Sequence, residues 1–140
     1  GLTFTDTQAQ VVMVLQQADI ISVFSCISSL YPEYRLGKIQ VHWLSDDELL
    51  EINKSHLDRD YYTDIITFDY STTRKISGEL FISVDRVRDN AAAHGSSEIQ
   101  EFHRVVTHGV LHLLGFKDKT EAESKVMREK ENEVLHTLGI

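Results

Sequence analysis

Two stretches dense in β-branched and aromatic residues, TDIITFDY (63–70) and GELFISV (78–84), stand either side of a short polar turn, and the chain beyond them reads as helix. That density suits the pleated, half-buried surface of a sheet, and the turn between them is compatible with a hairpin-like connection. KIQVHWL (38–44) has the same strand composition. Strands early and helices late predict an α+β domain of three or four strands and about five helices.

The helices carry their own punctuation. Between 19 and 31, Ile20, Val23, Phe24, Ile27 and Leu30 recur at helical spacing before Pro32. SDDELLEIN (45–53) opens with Ser45 three residues before Glu48, a capping box, and KSHLDRDYY (54–62) reads as a loop. A helix over 85–95 ends at Gly95, and Ser97 with Gln100 starts the next. In that helix Ile99, Phe102, Val106, Val110 and Leu113 form one apolar stripe, which Gly115 can end; Thr120 with Glu123 begins the last helix. Residues 1–17 stay open: LTFT alternates like a short strand, while VVMVL suits strand or helix.

With 140 residues, 41% of them hydrophobic, the chain fits one domain that buries a core without disulfides or structural metal. Any metal is therefore expected to be functional. Cys26 is the single cysteine, and no charged, apolar leader or long apolar run is visible, which predicts a soluble cytoplasmic protein with no membrane partner. The net charge of −8 argues against coating phosphates without regard to sequence, which takes an excess of Lys and Arg. An RNA partner would have to meet a local basic patch.

The chemistry concentrates in HGVLHLLGFKD (108–118). On a helix, residues four apart lie one above the other, so His108 and His112 aim both imidazoles at one point. At ~100° per residue their direction falls opposite the centre of the apolar stripe, away from the main core. A third ligand has to come from chain that turns back over the helix end. Gly115 can adopt the left-handed conformation for that turn and bring residue 118 round. Two histidines at this spacing are, by themselves, more often solvated side chains; the glycine and the carboxylate at these offsets favour a metal site. The spacing mimics that of zinc peptidases, in which a glutamate follows the first histidine as general base. Here Gly109 stands in that place, so a peptidase would keep its metal and lose its base.

The chain resembles the YbeY endoribonucleases, or ribosomal RNA maturation factors, whose motif has the form H-G-x-L-H-L-x-G-Y-D-H. His108, Gly109, Leu111, His112, Leu113 and Gly115 match it. Asn53, TDIITF (63–68) and GELFIS (78–83) are similar to that family's N-x-x-Y-R, T-N-V-L-S-F and G-D-I-x-I-S blocks, in the same order. The likeness runs from about residue 38 to the end. It implies an α+β fold with a small mixed sheet and a metal site at the C-terminal end of a central helix. It also implies a single-strand-specific, metal-dependent endoribonuclease acting in ribosomal RNA maturation, with one divalent metal per chain, zinc foremost. The implied partners are single-stranded ribosomal RNA and the small ribosomal subunit or proteins associated with the ribosome.

Two positions depart from the family pattern. Its third histidine falls on Asp118, so the implied ligand set is His108, His112 and Asp118; a carboxylate does ligate zinc, and the alternative is a turn residue between Lys117 and Lys119. Its loop arginine falls on Leu57, for which Arg59 is the best stand-in, the alternative being a solvated charge. Arg104, one turn before His108 on the same face, is placed either to meet a phosphate or simply to face solvent. His103 points towards the apolar stripe, as a packed or capping residue. His42, His56, His94 and His136 have no partner at ligand spacing, and Glu79 reads as structural or cleft-edge polarity. A ribosome-associated assembly factor with a mainly structural metal, or less readily a peptidase or amidase, remains as an alternative activity.

Overall fold

The computed structural model describes residues 15–140 and the backbone of 2–4. Its elements run β1 (Leu2–Phe4), α1 (Gln17–Leu30), β2 (Leu36–Leu44), α2 (Asp46–Leu57), β3 (Ile65–Asp69), β4 (Ile76–Ser83), α3 (Val84–His94), α4 (Glu98–Leu113) and α5 (Glu121–Leu138). The sheet order is β1-β2-β4-β3. β1 pairs parallel with β2, β2 parallel with β4, and β3 antiparallel with β4, so the sheet is mixed. Leu2–Phe4 thus form a strand, whereas Thr5 and, but for Leu15, VVMVL lie outside the described residues.

Side chains alternate across a strand, and this alternation splits the core in two. Leu80 and Ile82 of β4 turn to the face covered by α4 and α1, joining Phe102, Val106, Val110, Leu111, Val23 and Ile27 in the main core. Phe81 turns to the other face, where α2 lays Leu49 against Leu44, Ile66 and Phe68. The cap signals hold: Ser45 and Thr120 form capping boxes, and the Ser97 hydroxyl accepts from the Gln100 N–H.

Several features differ from the sequence reading, β3 among them, which spans only Ile65–Asp69 of 63–70. α2 runs on through 54–57, because Leu57 reaches the second apolar cluster; Asp58 then ends it in the left-handed conformation (φ 53°). β2 and β4 each begin two residues early, where Leu36 pairs with Ile76 ahead of a register irregularity. Ile99 does not belong to the buried stripe: it is 52% exposed in the first turn of α4, while Val105 and Leu111 are buried instead. α4 packs against α1, α3, α5 and the sheet, so its buried arc is wider than one stripe and includes Gly109. A Cβ at Gly109 would lie 2.9 Å from Ile65 Cδ1 and from both Leu80 methyl carbons, which accounts for a glycine where helix meets sheet.

Candidate metal centre

From Glu101 to Leu113 α4 is buried except at Arg104, His108 and His112, and this strip faces clefts rather than bulk solvent. His108 and His112 sit one turn apart with ring centroids 4.6 Å apart, their side chains 22% and 28% exposed. Beyond Leu114 the chain reverses at Gly115, whose φ of 106° is open to glycine and strained for other residues. The Gly115 N–H donates to His112 O and the Phe116 N–H to Leu111 O, which closes the helix end. The reversal carries Asp118 back over the histidines: its Oδ2 lies 3.1 Å from His108 Nε2 and 3.4 Å from His112 Nε2. The Ser124 hydroxyl, donating to Asp118 O, fastens this loop to α5.

The three residues offer ligand atoms that all lie within 4.8 Å of one another. Zinc bonds of ~2.0–2.1 Å in tetrahedral geometry separate neighbouring ligand atoms by about 3.3 Å. The His–Asp distances match that edge, and two imidazoles with one carboxylate is a donor set zinc accepts. The residues present therefore fit a divalent metal, with room for a fourth ligand on the cleft side.

Glu131 of α5 joins the cluster, and the sequence reading did not single it out. Its Oε2 lies 2.6 Å from His108 Nδ1 and its Oε1 3.0 Å from Arg104 Nη1, and its side chain is only 6% exposed. The signal was a carboxylate inside the buried stripe of α5, among Met127, Val134 and Leu135. A buried carboxylate in such a stripe needs a charged partner, although spacing along the chain does not say which. Burial lowers the His108 pKa, but the hydrogen bond and charge of Glu131, with the charges of Asp118 and Asp64, outweigh it and leave the imidazole raised above its ordinary value. Asp64, just before β3, was likewise not singled out; burial raises its carboxyl pKa, against the pull of His108 and of backbone hydrogen bonds.

Two clefts meet at the cluster. The larger, about 530 Å³, lies between the loop after α2, β3 and the end of α4, and has Leu57, Arg59 and Lys119 on its walls together with both histidines. Arg59 thus lines the same cleft as the two histidines, on a loop held by Asn53: Asn53 O accepts from the Arg59 N–H, and Asn53 Nδ2 donates to Tyr61 O. The smaller, about 240 Å³, lies between α3, α4 and α5 and contains Arg104. Arg104 is not a solvated helix arginine, since it is mostly buried against Glu131.

Of the other histidines, His94 lines the smaller cleft, with its Nδ1 3.6 Å from Glu101 Oε1, while His42, His56, His103 and His136 line neither cleft. His103 is packed, its Nδ1 bonding Ile99 O. His42 does have a partner: its Nε2 meets Glu79 Oε2 at 2.7 Å across β2 and β4, the ring stacks on Phe81, and the Tyr70 hydroxyl donates to Glu79 Oε1. Glu79 is therefore structural polarity on the α2 side of the sheet, away from the cluster.

The family model described as Endoribonuclease YbeY matches residues 4–139. Among curated relatives, the Endoribonuclease YbeY of Bacteroides thetaiotaomicron is 50% identical over 101 residues, covering 72% of this chain and 74% of that one. That of Cytophaga hutchinsonii is 46% identical over 131 residues, 93% of this chain and 89% of that one. A solution structure of a Thermotoga maritima protein, 21% identical, superposes with a TM-score of 0.57 over 99% of this chain and 91% of that one, and shares the fold.

Proposed function

The chain belongs to the Endoribonuclease YbeY family and is accordingly a hydrolase of RNA phosphodiester bonds, and we propose that it cleaves single-stranded ribosomal RNA at a divalent metal held by His108, His112 and Asp118. The observation that carries the assignment of the site is the convergence of these three side chains at metal-ligand spacing where two clefts meet. A metal bound there supplies Lewis acidity, polarising a phosphoryl oxygen and making a water easier to ionise. Zinc is the metal of choice for two nitrogens and one oxygen.

The chain's own residues prepare the site. Glu131 takes the hydrogen bond from His108 Nδ1–H, which turns the Nε2 lone pair towards Asp118 and His112. Arg104, on the other oxygen of Glu131, helps hold that carboxylate against His108, and Arg59 borders the larger cleft, where it is placed to meet a phosphate. Gly109 offers no general base next to His108, which disfavours a peptidase.

The acidic balance of −8 suits a protein that reaches its RNA within the small ribosomal subunit, where protein partners contribute affinity. No helix among the described residues is long and apolar enough to cross a membrane, and we place the protein in the cytoplasm. The test offers metal-loaded protein a single-stranded ribosomal RNA fragment, the same sequence as a duplex, and an unfolded protein. Cleavage of the single strand alone is expected. Ribosome binding without RNA cleavage would support an assembly factor instead.

A further inference from the structure

An endonuclease cuts inside a strand, so the RNA must continue away from the scissile phosphate in both directions. The two clefts share only Asp64, His108 and Asp118, which makes the candidate metal cluster the partition between them. We propose that the smaller cleft, between α3, α4 and α5, is a nucleotide subsite that seats the base flanking the scissile phosphate on one side, while the larger cleft carries the strand on the other. This rests on the functional reading above.

The chemistry of the smaller cleft favours a base over a phosphate. Its floor is apolar, made by Val105 and Met127, and both are buried beneath it. Asn90 of α3 stands in its wall, half-buried, and among the described residues its side-chain amide has no hydrogen-bond partner. An amide presents two donor hydrogens and an acceptor oxygen, which complements the edge of a heterocycle. The basic groups in the cleft each face a carboxylate: Arg104 is bonded to Glu131, Arg128 approaches the same carboxylate at 3.8 Å, and His94 Nδ1 lies 3.6 Å from Glu101. The walls above that floor are charged, with Asp64, Glu101, Asp118 and Glu131 among them, so a phosphate would meet carboxylates there, and the volume of about 240 Å³ leaves room for little more than one base.

The larger cleft is built differently. Arg59 and Lys119 border it, as a phosphate path requires, and Tyr61 on its wall is exposed for stacking. Its volume of about 530 Å³ suits a longer piece of strand. The pair of clefts thus gives the strand one base-reading side and one backbone-tracking side.

The test uses the metal-loaded protein and a single-stranded oligoribonucleotide whose internal cleavage position has been mapped. Asn90→Trp fills the smaller cleft, and Asn90→Ala removes the amide without filling it. Both variants should bind zinc as the parent does, because neither touches a ligand. Asn90→Trp should lower kcat/KM by roughly tenfold or more, and Asn90→Ala by less. Removing the base at one flanking nucleotide should lower the parent's kcat/KM and cost Asn90→Trp nothing further, since base and cleft are then one lost interaction. Parent-like cleavage by Asn90→Trp, or a base removal that costs variant and parent equally at both flanks, would overturn the subsite. His112→Ala separates this from the functional reading. If that variant is inactive while Asn90→Trp is unaffected, only the subsite falls; if His112→Ala cleaves normally, the functional reading falls and the subsite with it.

Discussion

Substitution of Glu131 probes the coupling between α5 and the candidate metal centre. In Glu131→Ala both hydrogen bonds of the carboxylate vanish, the one to His108 Nδ1 at 2.6 Å and the one to Arg104 Nη1 at 3.0 Å. Removing one partner of a buried ion pair costs ~3–5 kcal/mol. The low end, about 3 kcal/mol, applies to the metal-free protein, because Arg104 borders an open cleft and can hydrate there. Metal affinity falls for a separate reason. Without its acceptor the His108 ring loses both its tautomer and its orientation, and loss of such an outer partner typically weakens binding ~10–100-fold. Glu131→Gln retains an acceptor for Nδ1–H but no charge for Arg104, so its metal affinity should stay within roughly tenfold of the parent's. Urea unfolding of the metal-free proteins reads the first effect and competitive zinc titration the second. Imidazole ¹⁵N shifts of the zinc-loaded protein report whether the His108 proton sits on Nδ1. A folded Glu131→Ala that binds zinc as tightly as the parent would refute the reasoning.

Other expectations follow from the same geometry. Since the folded-state pKa of His108 is raised, its contribution to the stability of the metal-free protein is fully present below the unfolded value of ~6.5 and is lost as pH rises through the folded value. Zinc displaces that proton, so zinc affinity should climb with pH across the same window and then level off, and in Glu131→Ala the climb should occur at lower pH; titrations at several pH values check both. Asp118→Ala removes one of three ligands and should weaken metal binding sharply, whereas Asp118→His should retain it and narrow the preference towards zinc over manganese; unchanged affinity in Asp118→Ala would make Asp118 a turn residue only. Gly109→Ala adds a Cβ at 2.9 Å from the methyl carbons of Ile65 and Leu80, and overpacking of ~1–3 kcal/mol should exceed the helix-propensity gain of ~1 kcal/mol, giving net destabilisation in urea unfolding.

What the sequence makes legible is what neighbouring residues decide. The caps at Ser45, Ser97 and Thr120, the reversal at Gly115 and the alignment of His108 with His112 are all local, and each stands where the residues place it. Asp118 was reachable because a single turn separates it from the histidines. Glu131 was not, since its partnership with His108 and Arg104 is set by the packing of α5 on α4, which no spacing rule encodes. His42 with Glu79 is the same case across strands: a parallel pairing of β2 with β4 brings them together, with α2 and β3 intervening in the chain. Ile99 fails for the opposite reason, its apolar side chain matching the stripe by period while the first turn of α4 runs beyond the core.

Metal content and RNA cleavage measured on the same samples test the central claim most directly. Parent protein purified without chelators, His108→Ala and His112→Ala would each be assayed for bound zinc per chain and for cleavage of a single-stranded ribosomal RNA fragment. The cluster predicts one metal per chain and cleavage in the parent, and loss of both in either variant while the domain remains folded. A variant that still holds one tight metal per chain, or that cleaves RNA without it, would contradict the assignment of the site.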